Sequence, residues 1–121
     1  MSQILLVDDD DLIQLTFQDV LESRGHCVTV ANNGNDALRK LSAAVPEILI
    51  TDLIMPDKDG IELILEVKQL HPNIKVVAIS GGGRMQKTEL LTTAQKLGAD
   101  YCLKKPISPK ELLAIIDQLT A

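Results

Sequence analysis

Aromatic residues are nearly missing from this chain: Phe17 and Tyr101 are the only two among 121 residues, and tryptophan is absent. The core must therefore be built from Leu, Ile, Val and Ala, and no platform exists on which single-stranded bases could stack. Basic residues are in deficit as well, with 12 Lys and Arg against 17 Asp and Glu and a net charge of −5. Direct nucleic-acid binding, which needs clustered positive charge, is not expected. No apolar run approaches the ~20 residues of a membrane span. The N-terminus has none of the basic, apolar and small-residue segments of a secretory signal, so a cytoplasmic protein is expected. Cys27 and Cys102 are the only cysteines and form no C-x-x-C pair, which excludes a disulfide scaffold or zinc site. They read as buried thiols in a reducing compartment.

Short apolar runs, rich in Val and Ile, recur along the chain at Ile4–Val7, Cys27–Ala31, Ile48–Thr51, Val76–Ile79 and Tyr101–Leu103. Each has the length of a strand. Helix-period segments alternate with them. Ile13, Phe17, Val20 and Leu21 share one face; so do Ala37, Leu38 and Leu41; then Ile61, Ile64 and Leu65; then Leu90, Leu91 and Ala94. The last segment places Leu112, Ile115, Ile116 and Leu119 on a single face, with Ser108 and Pro109 as its start signal. Turn signals fall at Arg24-Gly25, Asn33-Gly34, Asp59-Gly60, Gly81–Gly83 and Leu97-Gly98. Five continuous apolar strands separated by five helices predict a parallel sheet covered on both faces, in one domain spanning residues 1–121.

Ligands of such sheets bind beyond the carboxyl ends of the strands, where the strand order reverses. The first strand is followed by Asp8 and Asp9, the third by Asp52, the fourth by Ser80, and the fifth by Lys104, Lys105 and Pro106. With order 2-1-3-4-5, the acidic strands 1 and 3 are neighbours. Three carboxylates would then share a small volume, which is costly unless something neutralises them. A hard divalent cation such as Mg²⁺, bound by carboxylates, a backbone carbonyl and water, does so. Asp10 and Asp11 read more simply as residues that cap a helix and complement its dipole. His26 and His71 read as solvent-facing loop residues.

Other chemistries fit poorly. Four consecutive acids from Asp8 to Asp11 repel a nucleotide phosphate, and Gly81-Gly82-Gly83-Arg84 lacks the G-K-[ST] ending of a P-loop. An EF-hand alignment of Asp57, Asp59, Gly60 and Glu66 puts Met55 where the first carboxylate belongs. A phosphatase of the haloacid dehalogenase type would want an acid at position 54, which is Ile.

The acidic pair Asp8-Asp9, the stretch "DLIMPDKDG" from Asp52, Ser80, and Lys105-Pro106 together resemble the receiver domain of two-component response regulators, over essentially the whole chain. The resemblance implies a flavodoxin-like (βα)5 doubly wound fold with a five-stranded parallel sheet of order 2-1-3-4-5. It implies that Asp52 accepts a phosphoryl group from a histidine kinase or histidine phosphotransfer protein, that Asp9, Asp52 and the Ile54 carbonyl bind Mg²⁺ (with Mn²⁺ a substitute), and that Asp8 reaches the ion through water. Ser80 is expected to hydrogen-bond the transferred group, Lys105 to pair with its oxygens, and the bond before Pro106 to be cis. The implied protein is a signalling switch with slow self-dephosphorylation, not a turnover enzyme. It is expected to be monomeric when unphosphorylated and to act on a downstream protein through the face of helix 4, strand 5 and helix 5, with docking points around Leu91 to Ala94. The alternative is a pseudo-receiver, an interaction module that is never phosphorylated. Many receivers carry an aromatic three residues before the lysine; here Cys102 stands there, and Tyr101 should face the other side of the strand. A backbone-led change in the loop after Ser80 and in helix 4 is therefore expected in place of an aromatic switch.

Overall fold

The computed structural model describes residues 2–53, 59–80 and 87–120. Five strands, β1 (Gln3–Val7), β2 (Cys27–Ala31), β3 (Ile48–Asp52), β4 (Lys75–Ser80) and β5 (Tyr101–Lys104), alternate with five helices, α1 (Asp11–Glu22), α2 (Gly34–Ala43), α3 (Gly60–Leu70), α4 (Lys87–Leu97) and α5 (Pro109–Thr120). The strands form one parallel sheet of order β2-β1-β3-β4-β5, the flavodoxin-like doubly wound arrangement. Each strand matches its expected apolar run to within a residue at either end.

Alternation along the strands divides the core in two. Leu5, Val7, Leu49, Val76 and Ala78 face α2, α3 and α4, which contribute Ala37, Leu41, Leu63, Ile64, Val67 and Ala94. Ile4, Leu6, Ile48, Ile50, Val77 and Ile79 face α1 and α5, which contribute Phe17, Leu21, Leu112 and Ile116. Both faces of the central strands are thus dry, as their unbroken apolar runs require. Tyr101 packs into the second cluster and Cys102 against the first, so the two side chains lie on opposite faces as expected.

The helix starts follow from short polar side chains. Asp10 accepts from the Leu12 and Ile13 amides, Asn33 from Asp36, Asp59 from Glu62, and Ser108 from Glu111. Gly25 and Gly98, at φ +87° and +116°, let the chain leave α1 and α4 in a conformation other residues resist.

Five sequence expectations are corrected. His26 is buried, because pairing of the sheet edge brings Ser2 over it and its Nδ1 accepts the Ser2 amide at 3.1 Å. His71 is half-buried at the end of α3. Cys27 is exposed and Cys102 only half-buried, since β2 and β5 are the edge strands, which the helices cover less completely. On α3 the inward face is Leu63, Ile64 and Val67, whereas Leu65 points to solvent. Ala94, expected among the docking points, is completely buried in the first cluster, and the Leu91 side chain lies outside the described residues.

Candidate metal centre

Parallel register brings the acids together. Val7 of β1 pairs with Thr51 of β3, so Asp8, just past the end of β1, comes level with Asp52, the last residue of β3. Asp8, Asp9 and Asp52 each offer a carboxylate oxygen, all within 4.8 Å of one another. Asp8 is 1% exposed and Asp52 4%, while Asp9 is open to solvent. At that separation, two buried carboxylates repel by roughly 3 kcal/mol at an effective dielectric of about 20.

One cation answers three anions. Ser80 of β4 pairs with Lys104 of β5, and the Lys105 amide donates to the Ser80 carbonyl at 2.9 Å, which brings Lys105 to the same rim. Its Nζ lies 3.0 Å from Asp52 Oδ2 and 3.5 Å from Asp8 Oδ2. The Lys105–Pro106 peptide is cis, as the resemblance implied. Burial alone would lower the Lys105 pKa, but the hydrogen bond to Asp52 and the charges of Asp52 and Asp8 outweigh it and hold the ammonium above its usual value. Asp8 is pushed up by burial, reinforced by Asp52 and Asp9 and opposed by the Asp10 amide and Lys105. With Lys105 protonated and the three carboxylates ionised, the cluster carries two uncompensated negative charges.

That donor set fits a hard divalent cation of the Mg²⁺ kind: clustered carboxylate oxygens, two residues dry and one facing water. Ile54, whose carbonyl was expected to complete the set, and Gly81–Gly83 lie outside the described residues. Ser80 is fully buried at the end of β4, and its hydroxyl has no hydrogen-bond partner among the described residues. A buried hydroxyl left unsatisfied in this way is uncommon and points to a ligand it would meet there.

Three residues around the acids escaped sequence reasoning. Gln14 of α1 donates from Nε2 to the Asp8 carbonyl and to Asn32 Oδ1. Thr51 Oγ donates to the Asp52 carbonyl at 2.9 Å. Gly60, read only as a turn signal, opens α3 directly on the Asp52 backbone: a Cβ there would stand 2.2 Å from the Asp52 carbonyl oxygen and 2.6 Å from the Leu53 Cα. Its amide also donates to the Leu53 carbonyl at 3.0 Å. The Asp59-Gly60 pair was the available signal, but a glycine forced by close approach looks the same in sequence as one forced by a turn.

Fold and site together define a flavodoxin-like α/β domain with a cation-suited acidic cluster at the switch point of its sheet. The chain belongs to the response regulator receiver domain family, whose model matches residues 4–117. It is 38% identical over 116 residues to the transcriptional regulatory protein CpxR homolog of Haemophilus influenzae, covering 96% of this chain and 49% of that protein. It is 30% identical over 115 residues to the DNA-binding transcriptional regulator NtrC of Salmonella typhimurium, covering 95% of this chain and 24% of that one. The chain thus spans half or less of the length of these relatives. The crystal structure of a CheY-like receiver domain protein from Methanospirillum hungatei superposes with a TM-score of 0.88 at 28% identity, covering 99% of this chain and 94% of that one. As a receiver domain, the chain is a signalling domain, of a family that binds Mg²⁺ through acidic residues. Among the described residues, no helix is long and apolar enough to cross a membrane.

Proposed function

We propose that this chain is a phosphorylation-controlled switch of a two-component or phosphorelay system in which Asp52 is the phosphoacceptor. The observation that carries this reading is the buried Asp52 carboxylate, held 3.0 Å from the Lys105 ammonium and grouped with Asp8 and Asp9. Asp52 attacks the phosphorus of a phosphohistidine on a histidine kinase or phosphotransfer protein. An O–P bond forms as the N–P bond breaks, the imidazole nitrogen takes up a proton, and Asp52 is left as a mixed anhydride. Asp9, Asp52 and the Ile54 carbonyl would hold a Mg²⁺ ion, with Asp8 reaching it through water and Mn²⁺ a workable substitute, and the ion would supply positive charge against the anionic repulsion of phosphoryl transfer. Lys105, kept protonated, supplies the positive charge from the β5 side. The Ser80 hydroxyl stands at the end of the strand beside Asp52 and donates to a phosphoryl oxygen once the group is in place.

An apolar groove beside Lys105, lined by Leu12, Ile13, Phe17, Pro106 and Ile107, gives the donor protein a surface next to the acceptor. The phosphorylated state changes the loop after Ser80 and presents the α4-β5-α5 face to a downstream protein. The domain works in the cytoplasm, is monomeric when unphosphorylated, and loses its phosphoryl group slowly by self-hydrolysis without turning over outside substrates. An intact acid cluster with its lysine does not favour a pseudo-receiver. Intact mass after incubation with acetyl phosphate tests the reading: one phosphoryl addition that needs Mg²⁺ and disappears in Asp52→Ala is expected. No addition from either acetyl phosphate or a histidine-phosphorylated donor would overturn it.

A further inference from the structure

Among the described residues, the Asp9 carboxylate has no hydrogen-bond partner or ion pair, although two buried carboxylates stand within 4.8 Å of it. It is exposed, and with no such partner to orient it, its backbone is what places it over the site. That placement begins at the peptide joining Asp8 to Asp9. The Asp8 amide is fixed to the Ala31 carbonyl at 3.1 Å, and the Asp8 side chain accepts the Asp10 amide at 2.9 Å. The carbonyl of the Asp8–Asp9 peptide is held by a side chain, the half-buried Gln14 carboxamide.

The carboxamide uses its second proton on Asn32 Oδ1 at 2.9 Å, and it also lies 3.5 Å from the Ala31 carbonyl. The Asn32 amide in turn donates to Asp36 Oδ2 at 3.1 Å, on the first turn of α2. One side chain thus ties the exits of β1 and β2 together beneath the exposed acid.

We propose that Gln14 is a positioning residue of the cation site, fixing the Asp8–Asp9 peptide so that the Asp9 carboxylate faces the ion. It acts through the backbone, not by touching the ion. Outer partners that orient ligands in this way typically carry about 10- to 100-fold of metal affinity. The inference rests on the Mg²⁺ site of the proposed function.

The test is a titration of Mg²⁺ into the unphosphorylated full chain, following the backbone amide resonances of Asp8, Asp9 and Asp10. Wild type, Gln14→Met and Asn32→Ala are compared, each with a melting curve in EDTA. Methionine keeps the length of the side chain and removes its donor. About a 10-fold rise in the Mg²⁺ Kd is expected for Gln14→Met, with a smaller measurable rise for Asn32→Ala, which also decides the matter if Gln14→Met does not fold. A lower Tm with an unchanged Kd in the folded variants would show a merely structural role and overturn the proposal, leaving the proposed function standing. No Mg²⁺ binding by wild type would overturn both.

Discussion

Asp8, Asp52 and Lys105 form a balance in which each residue is costly alone. Asp8 is buried beside like charge, and its pKa is raised. A raised carboxylate pKa adds stability at pH values below the ordinary carboxylate range, and that contribution is lost as pH rises through the elevated value. At pH values above that elevated value and without a metal, the ionised Asp8 therefore opposes folding. Asp8→Asn, which keeps an oxygen for the Asp10 amide, should raise the Tm in EDTA by a few degrees at pH 7. The gain should shrink in acid, and Mg²⁺ binding should weaken. Melting curves at two pH values with and without Mg²⁺ check this; a lower Tm at pH 7 would contradict it. The acids and Lys105 were legible in the sequence because each follows an apolar strand whose end is marked by the change to charge. Gln14 was not, since a glutamine on a helix carries no mark of the carbonyl it holds. His26 and Cys27 were misjudged for a related reason: burial at a sheet edge depends on which segment lies across it, and here that segment is Ser2.

The elements themselves were readable where one period dominates. The strands were found almost to the residue, most clearly at the centre of the sheet, where parallel strands covered on both faces are apolar without a break. The α5 face was equally clear, with Leu112 and Ile116 fully buried in the structure. In α3, Ile61, Leu63, Ile64, Leu65 and Val67 offer several apolar faces, and only the sheet beneath selects Leu63, Ile64 and Val67. The same helix carries the tightest contact with the site, where Gly60 presses on the Asp52 carbonyl. Gly60→Ala should cost about 1–3 kcal/mol of stability, as overpacking of a filled site does, and should slow phosphoryl acceptance in the protein that remains folded. Urea unfolding alongside the intact-mass assay reads both effects. Wild-type stability in this variant would mean that the α3 start moves freely away from β3.

At the scale of the molecule, the design is an inert apolar sheet with its charge gathered at one end. The order β2-β1-β3-β4-β5 puts both acidic strand ends side by side and the lysine-bearing edge within reach of them. Alternation made a parallel sheet the expectation and the receiver resemblance implied its order, but the side-chain distances that turn four strand ends into one site exist only after folding. A phosphoryl group placed there would add negative charge to a cluster already acidic, at the end of the sheet nearest the Ser80 hydroxyl, which has no partner among the described residues. The claim on which everything else depends is that this group goes to Asp52. Borohydride reduction of the phosphorylated chain, which turns an aspartyl phosphate into homoserine, followed by peptide mapping, tests it most directly. The account predicts homoserine at position 52 alone, formed only when Mg²⁺ is present during phosphorylation. Conversion at Asp8 or Asp9 with position 52 untouched, or no conversion anywhere, would contradict it.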